Sequence, residues 1–94
     1  MPDAARIGDQ HTCPLTDPSA HEGGPILTGE TTVLIADQPA ARVTDTAECN
    51  GPVDTIAEGC NTVLISDQAA ARVGDATAHG GVITEGCSTV LIGG

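Results

Sequence analysis

The 94-residue chain has 13 acidic residues against three arginines and no lysine, which gives a formal net charge of −10 at pH 7. So acidic a chain excludes a nucleic-acid partner, because phosphate backbones are bound by basic surfaces. It has no Phe, Tyr or Trp, so its core must be built from Val, Ile, Leu and Ala. Its length fits one domain, residues 1–94, and so small a core predicts an additional crosslink.

In chain order, the predicted elements alternate between two repeated phrases. An Ala-Ala-Arg triplet continues with Ile or Val, one further residue and Asp, and each Arg-to-Asp segment is predicted to form one strand of a hairpin. The phrase Thr-Val-Leu-Ile is short, apolar and bounded by turn-forming residues, which predicts a buried strand. The predicted strands are 6–9, 32–35, 42–45, 62–65, 72–75 and 89–92, with turns at 37–40 and 67–70.

Three copies of each phrase indicate a fold built from a repeated unit. The third unit is split, because its Ala-Ala-Arg half opens the sequence and its Thr-Val-Leu-Ile half closes it. We therefore expect the last strand to return beside the first segment. The predicted fold is all-β, a small conical pseudo-threefold arrangement of β-hairpin repeats that leaves few open sheet edges. Each Arg and its Asp are expected to close a turn with hydrogen bonds.

The loops that follow the Arg-to-Asp segments contain every histidine of the chain. Cys13, Cys49 and His79 each lie four residues after the Asp of their own repeat, so a threefold body places them at equivalent positions. Converging Cys and His side chains are ligands that tetrahedral Zn²⁺ prefers. The pattern predicts a metal site near the apex that crosslinks the three loops and contributes to folding.

Two other uses of the cysteines stay open on the sequence alone. Four cysteines allow three disulfide pairings, although no export signal begins the sequence, which favours a reducing, cytoplasmic location. Cys13 lies two residues from His11, the minimum for a nucleophilic pair, but nothing supplies an oxyanion hole, so we expect no enzyme. Cys60 and Cys87 share a repeat position with Glu30, and we expect both to be partly exposed and outside the metal site.

Several ordered motifs resemble the PAAR-repeat family over the full length of the chain. Besides Pro39-Ala-Ala-Arg42 they are Asp9-Gln-His-Thr-Cys-Pro14, His21-Glu-Gly-Gly-Pro25, Cys49-Asn-Gly-Pro-Val-Asp54 and Thr77-Ala-His-Gly-Gly81. The resemblance implies one zinc ion near the apex, held by three His and one Cys. Carried over to this chain, the ligands are His11, His21, Cys49 and His79, with Cys13 as the alternative to Cys49. Thr44 departs from the pattern, since Gly8 and Gly74 occupy its equivalent positions.

The same resemblance implies a structural role and a set of partners. The protein would cap the trimeric VgrG spike of a type VI secretion system, aid membrane puncture and effector delivery, and be a monomer when isolated. A phage-like tail-spike tip is the alternative. It would stay in the cytoplasm until secretion or delivery to a target cell. The sequence stops two residues after its last Val-Leu-Ile, so any effector is expected to be a separate cargo. No apolar run reaches the ~18 residues of a membrane span.

Overall fold

The structure is a computed structural model that describes residues 2–13, 23–49 and 53–93. These ranges contain strands and turns and no helix, so no helix among them is long and apolar enough to cross a membrane. The strands are β1 Asp3–Ala4, β2 Gly23–Ile26, β3 Glu30–Ile35, β4 Gln38–Ala40, β5 Thr46–Cys49, β6 Asp54–Thr55, β7 Cys60–Ile65, β8 Gln68–Ala70 and β9 Cys87–Leu91. The predicted all-β class is confirmed.

Two hairpins, β3–β4 and β7–β8, repeat one geometry. In the first, Ile35 pairs with Gln38, so the loop consists of residues 36–37, whose φ angles are 49° and 70°. The loop 66–67 of the second hairpin repeats these values at 48° and 68°. Positive φ at both central residues is typical of a type I′ turn, whose twist matches that of the flanking strands.

The third unit is completed by strands from the two ends of the sequence. Strand β1 pairs antiparallel with β9, which places Asp3 opposite Leu91 and Ala4 opposite Cys87. The expected return of the last Thr-Val-Leu-Ile run beside the first Ala-Ala-Arg triplet is therefore confirmed. The body measures 36 × 23 × 23 Å, and its two equal short axes agree with a threefold arrangement around the long one.

A closed ring of backbone hydrogen bonds joins the three units around the axis. Its members, Ala5, Ala41 and Ala71, are called the alanine ring. The Ala5 N–H donates to the Ala71 carbonyl, Ala71 to Ala41, and Ala41 back to Ala5, each with an N···O distance of 3.0 Å. All three are at most 1% exposed. Each unit donates to one neighbour and accepts from the other, so these backbone groups are satisfied within the ring.

Apolar side chains form two clusters along the axis. The first contains the strand-end isoleucines and comprises Ala4, Ile35, Ala40, Cys60, Ile65, Ala70, Cys87 and Ile92. The second contains the alanine ring and comprises Ala5, Ile26, Ala41, Ala47, Ile56, Ala71 and Ile83. The prediction that Cys60 and Cys87 are partly exposed is wrong, since they are only 6% and 7% exposed. Their thiols behave as small apolar side chains within the first cluster.

The Arg-to-Asp segments form turns rather than strands. In the second copy the Asp45 N–H donates to the Arg42 carbonyl, and the Arg42 N–H and Nε donate to Asp45 Oδ2 at 2.8 and 3.1 Å. The other two copies repeat these contacts. The predicted hydrogen-bonded closure is confirmed, but the second hairpin strands lie earlier, at β4 and β8. The carboxylate takes a backbone N–H that a strand ladder would otherwise use.

The repeated Thr-Val-Leu-Ile runs form strands that are buried only at their last residue. Leu34 and Leu64 are each 58% exposed and Leu91 is 48% exposed, and the neighbouring valines are about one-third exposed. The prediction of buried strands is therefore wrong for the Val and Leu positions, because the narrow first cluster has room only for the isoleucines. The exposed positions, called the apolar face, are Val33, Leu34, Val63, Leu64, Val90 and Leu91.

Thr44 occupies a backbone conformation that favours glycine. Its φ is 83°, and the equivalent Gly8 and Gly74 have φ of 94° and 92°. We expect Thr44→Gly to raise the free energy of unfolding by about 0.5–1 kcal/mol, because relief of strain exceeds the entropy cost of glycine. Denaturant unfolding measures the change. Gly74→Thr is the reverse control and should lose stability through the backbone, since a Cβ there meets no atom within 4 Å. Equal midpoints for all three proteins would contradict the strain argument.

Candidate metal centre

Three side chains capable of binding a metal meet beyond the second apolar cluster. They are Cys13, Cys49 and His79, here called the donor group, and their ligand atoms all lie within 4.8 Å of one another. The Sγ atoms of Cys13 and Cys49 are 2.9 Å apart, and the Cys13 Sγ lies 3.4 Å from His79 Nδ1. The common offset of four residues from the repeat Asp predicted this convergence. The donor group could hold a metal ion.

Local structure holds each member of the donor group in place. Cys49 ends strand β5 and pairs with Gly23 of β2. Cys13 directly follows Thr12, whose N–H donates to the Val82 carbonyl. His79 lies in a tight turn that is closed by the hydrogen bond from the Thr77 N–H to the Gly81 carbonyl. The group therefore joins loops of all three repeats, which are far apart in the sequence.

The chemistry and spacing of the donor group fit a tetrahedral ion. Zinc–sulfur bonds of ~2.3 Å and zinc–nitrogen bonds of ~2.0 Å place two tetrahedral sulfurs about 3.8 Å apart and a sulfur and a nitrogen about 3.5 Å apart. The observed distances are 2.9 and 3.4 Å, so one sulfur would have to move by about 1 Å. Two thiolates and an imidazole suit zinc and other soft or borderline cations.

His11, a predicted ligand, makes different contacts. It is 3% exposed, its Nδ1 lies 2.8 Å from the Gly24 carbonyl oxygen, and its Nε2 lies 3.1 Å from Asp54 Oδ2. The Gly24 nitrogen also lies 3.5 Å from Nδ1, so both ring nitrogens are within hydrogen-bond distance of neighbouring groups. The structure thus places His11 in a buried contact with Asp54 beside the donor group.

The predicted set of four ligands stays a prediction. The structure brings two of its members, Cys49 and His79, together with the alternative Cys13. It places His11 in the contacts just given. His21 lies outside the described residues.

Asp54 connects the donor group to the rest of the interior. It is completely buried, and its Oδ1 accepts hydrogen bonds from the N–H groups of Thr55 and His79 at 2.8 and 2.9 Å. Burial alone would raise the pKa of Asp54, but hydrogen bonds from the Thr77 side chain and these two N–H groups together hold that pKa below its ordinary value. The buried side chains of His11, Asp54 and Thr77 are called the polar layer.

Sequence reasoning missed the role of Asp54. The residue lies two positions before Ile56, and the corresponding places in the other units, before Ile26 and Ile83, hold Gly24 and Gly81. The available signal was a carboxylate at a position where the other two units have glycine. It was obscured because acidic residues are abundant and many of them occupy other repeat positions.

One of two comparisons with known proteins found a match, and it agrees with this architecture. A search of curated proteins gave no match. A family model described as the PAAR motif matches residues 16–85 of the 94-residue chain. The matched stretch contains Cys49 and His79 of the donor group, and Cys13 precedes it. Because the match spans well over half of the sequence, the chain belongs to the PAAR-motif family, whose fold is a conical β structure.

Proposed function

We propose that this protein is a structural tip that caps and sharpens a trimeric VgrG-type spike of a type VI secretion system, and that it binds one zinc ion. Membership of the PAAR-motif family, a family of spike-tip proteins, supports the role. In this proposal the protein remains in the cytoplasm until the spike fires and then leaves the cell with it. In this role it aids membrane puncture and effector delivery, and no residue is assigned a catalytic role.

The observation that carries the proposal is the threefold repetition of the apolar face. Leu34, Leu64 and Leu91 occupy equivalent places in the three units, and between 48% and 58% of each remains exposed. Exposed apolar residues at three symmetric positions favour contact with another protein. A pseudo-threefold face can make three similar contacts with a trimer that has a true threefold axis. The proposed docking surface is therefore the apolar face.

The donor group supports a mechanical role at the other end of the body. It shares no residue with the first apolar cluster, to which the hairpin strands contribute, or with the second. The loops that contribute Cys13, Cys49 and His79 have few apolar residues with which to pack. A bound zinc ion would supply the crosslink that a hydrophobic core cannot provide there. A tip that is forced through a membrane needs such rigidity.

Docking is tested by adding charge to the apolar face. We expect the double variant Leu34→Asp, Leu64→Asp to weaken binding to the cognate spike trimer at least tenfold. Only four of the six residues of the apolar face would remain apolar, and docking would bury two carboxylates in the interface. Binding is measured by interferometry and folding by thermal unfolding. The control is Leu27→Asp, which changes a residue that is 44% exposed but lies outside the hairpins. Equal binding by both variants would show that the face does not dock.

A further inference from the structure

The two thiols of the donor group are closer to each other than metal binding requires. Their Sγ atoms are 2.9 Å apart, and a disulfide bond of ~2.05 Å needs them to approach by only about 0.9 Å. No disulfide joins any of the four cysteines, all of which lie in the described ranges. Cys13 and Cys49 are 36 positions apart in the sequence, so a bond between them would join the first loop to the second.

We propose that Cys13 and Cys49 form a redox-modifiable pair, which a peroxide converts from two metal-binding thiols into one disulfide. The inference rests on the metal site of the proposed function, since the same two sulfurs take part in both states. Both residues are buried, at 7% and 6% exposure, so the oxidant must be small. Hydrogen peroxide meets this requirement.

The neighbouring imidazole provides a route for the protons. His79 Nδ1, 3.4 Å from the Cys13 Sγ, takes the thiol proton, and the thiolate attacks one oxygen of hydrogen peroxide. The O–O bond breaks, the leaving hydroxide recovers the proton from His79 as water, and Cys13 becomes a sulfenic acid. The Cys49 sulfur then attacks the Cys13 sulfur, the S–O bond breaks, and the hydroxide leaves with the Cys49 proton as water. Two thiols and one peroxide thus give one disulfide and two waters.

The two states bind the loops differently. A disulfide removes both thiolates, so the ion loses two ligands and is released. The first and second loops then stay joined by a covalent bond. The third loop loses its metal ligand and keeps the hydrogen bond from the His79 N–H to Asp54, whose N···O distance is 2.9 Å. Oxidation therefore exchanges a three-loop crosslink for a two-loop crosslink.

The chain contains its own matched controls. Cys60 and Cys87 are also buried, but each thiol contacts the hydroxyl of the Thr two residues later, with an S···O distance of 3.1 Å. Neither lies beside the donor group. We therefore expect peroxide to distinguish the two kinds of cysteine.

The experiment compares zinc-loaded and chelator-treated full-length protein during exposure to one equivalent of hydrogen peroxide. Intact mass spectrometry and unreduced peptide mapping identify the products, and a chromogenic chelator records released zinc. We expect the chelator-treated protein to lose two hydrogen atoms and to yield one crosslink, Cys13 to Cys49. The zinc-loaded protein should react at least tenfold more slowly and release one zinc for each disulfide. The Cys60→Ser, Cys87→Ser double variant should form the same crosslink, and Cys49→Ser should form none.

The outcomes separate this inference from the proposed function. A crosslink between other cysteines, or over-oxidation of Cys13 without a crosslink, would overturn the redox proposal. Zinc binding without disulfide formation would refute the redox proposal alone. A Cys13–Cys49 disulfide in a protein that never binds zinc would uphold the redox-modifiable pair and refute the metal site.

Discussion

Replacing Asp54 with alanine should lower the free energy of unfolding by about 3–5 kcal/mol, because several interior donors would lose their acceptor at about 1–3 kcal/mol each. The variant removes Asp54 Oδ2, which lies 3.1 Å from the buried His11 Nε2. It also leaves the N–H groups of Thr55 and His79, which both donate to Oδ1, without an acceptor. Small domains have stabilities of about 5–15 kcal/mol, so this one change should remove a large part of the total.

Denaturant unfolding of the metal-free protein measures the effect of Asp54→Ala apart from any effect on metal binding. Glu48→Ala is the matched control, because it removes an exposed carboxylate from the same repeat and should alter stability by no more than ~0.5 kcal/mol. Asp54→Asn keeps an acceptor for the two N–H groups but loses the charge, so its loss should be intermediate. If Asp54→Ala behaves like Glu48→Ala, the polar layer does not hold the interior together.

The second large effect is expected from His79→Ala. This change removes the donor supplied by the third loop, so the bound metal should fall from about one ion per chain to a small fraction. A ligand present at 1,000 times its dissociation constant stabilises a protein by about 4 kcal/mol. For a domain of this size that corresponds to a loss of about 15–30 °C in melting temperature. Elemental analysis and thermal unfolding, with and without a chelator, provide the measurements.

Two comparisons make the His79→Ala result specific. Chelator treatment should lower the melting temperature of the unmodified protein toward that of the variant, and should change the variant itself very little. Cys60→Ser and Cys87→Ser should keep the metal, since their thiols lie in the first apolar cluster and not in the donor group. Full metal content in His79→Ala would exclude this residue as a ligand.

The repeats explain why the fold could be predicted so far from the sequence. Arg6, Arg42 and Arg72 recur with their Asp partners, and a repeated local contact defines a repeated turn wherever it occurs. The split third unit then required the ends of the sequence to meet, as β1 and β9 do. Family membership was equally accessible, because several motifs occur in a fixed order.

The features that were missed depend on packing across the axis. The repeat pattern shows that Leu64 is equivalent to Leu34, but the width of the first cluster decides that both remain exposed. The contact between His11 and Asp54 joins residues 43 positions apart, and neither residue has an equivalent His or Asp in the other repeats. Spacing within a unit could therefore locate Cys13, Cys49 and His79. It could not show which His contacts a neighbouring carboxylate.

The alanine ring determines when the protein can fold during its synthesis. Its hydrogen bonds run from Ala5 to Ala71, on to Ala41 and back, and β1 finds its partner only in residues 87–91. A nascent chain still inside the ribosome cannot complete this circuit. Contacts between distant segments slow folding, so assembly should wait until residues 87–91 have left the ribosome and then proceed in one cooperative step.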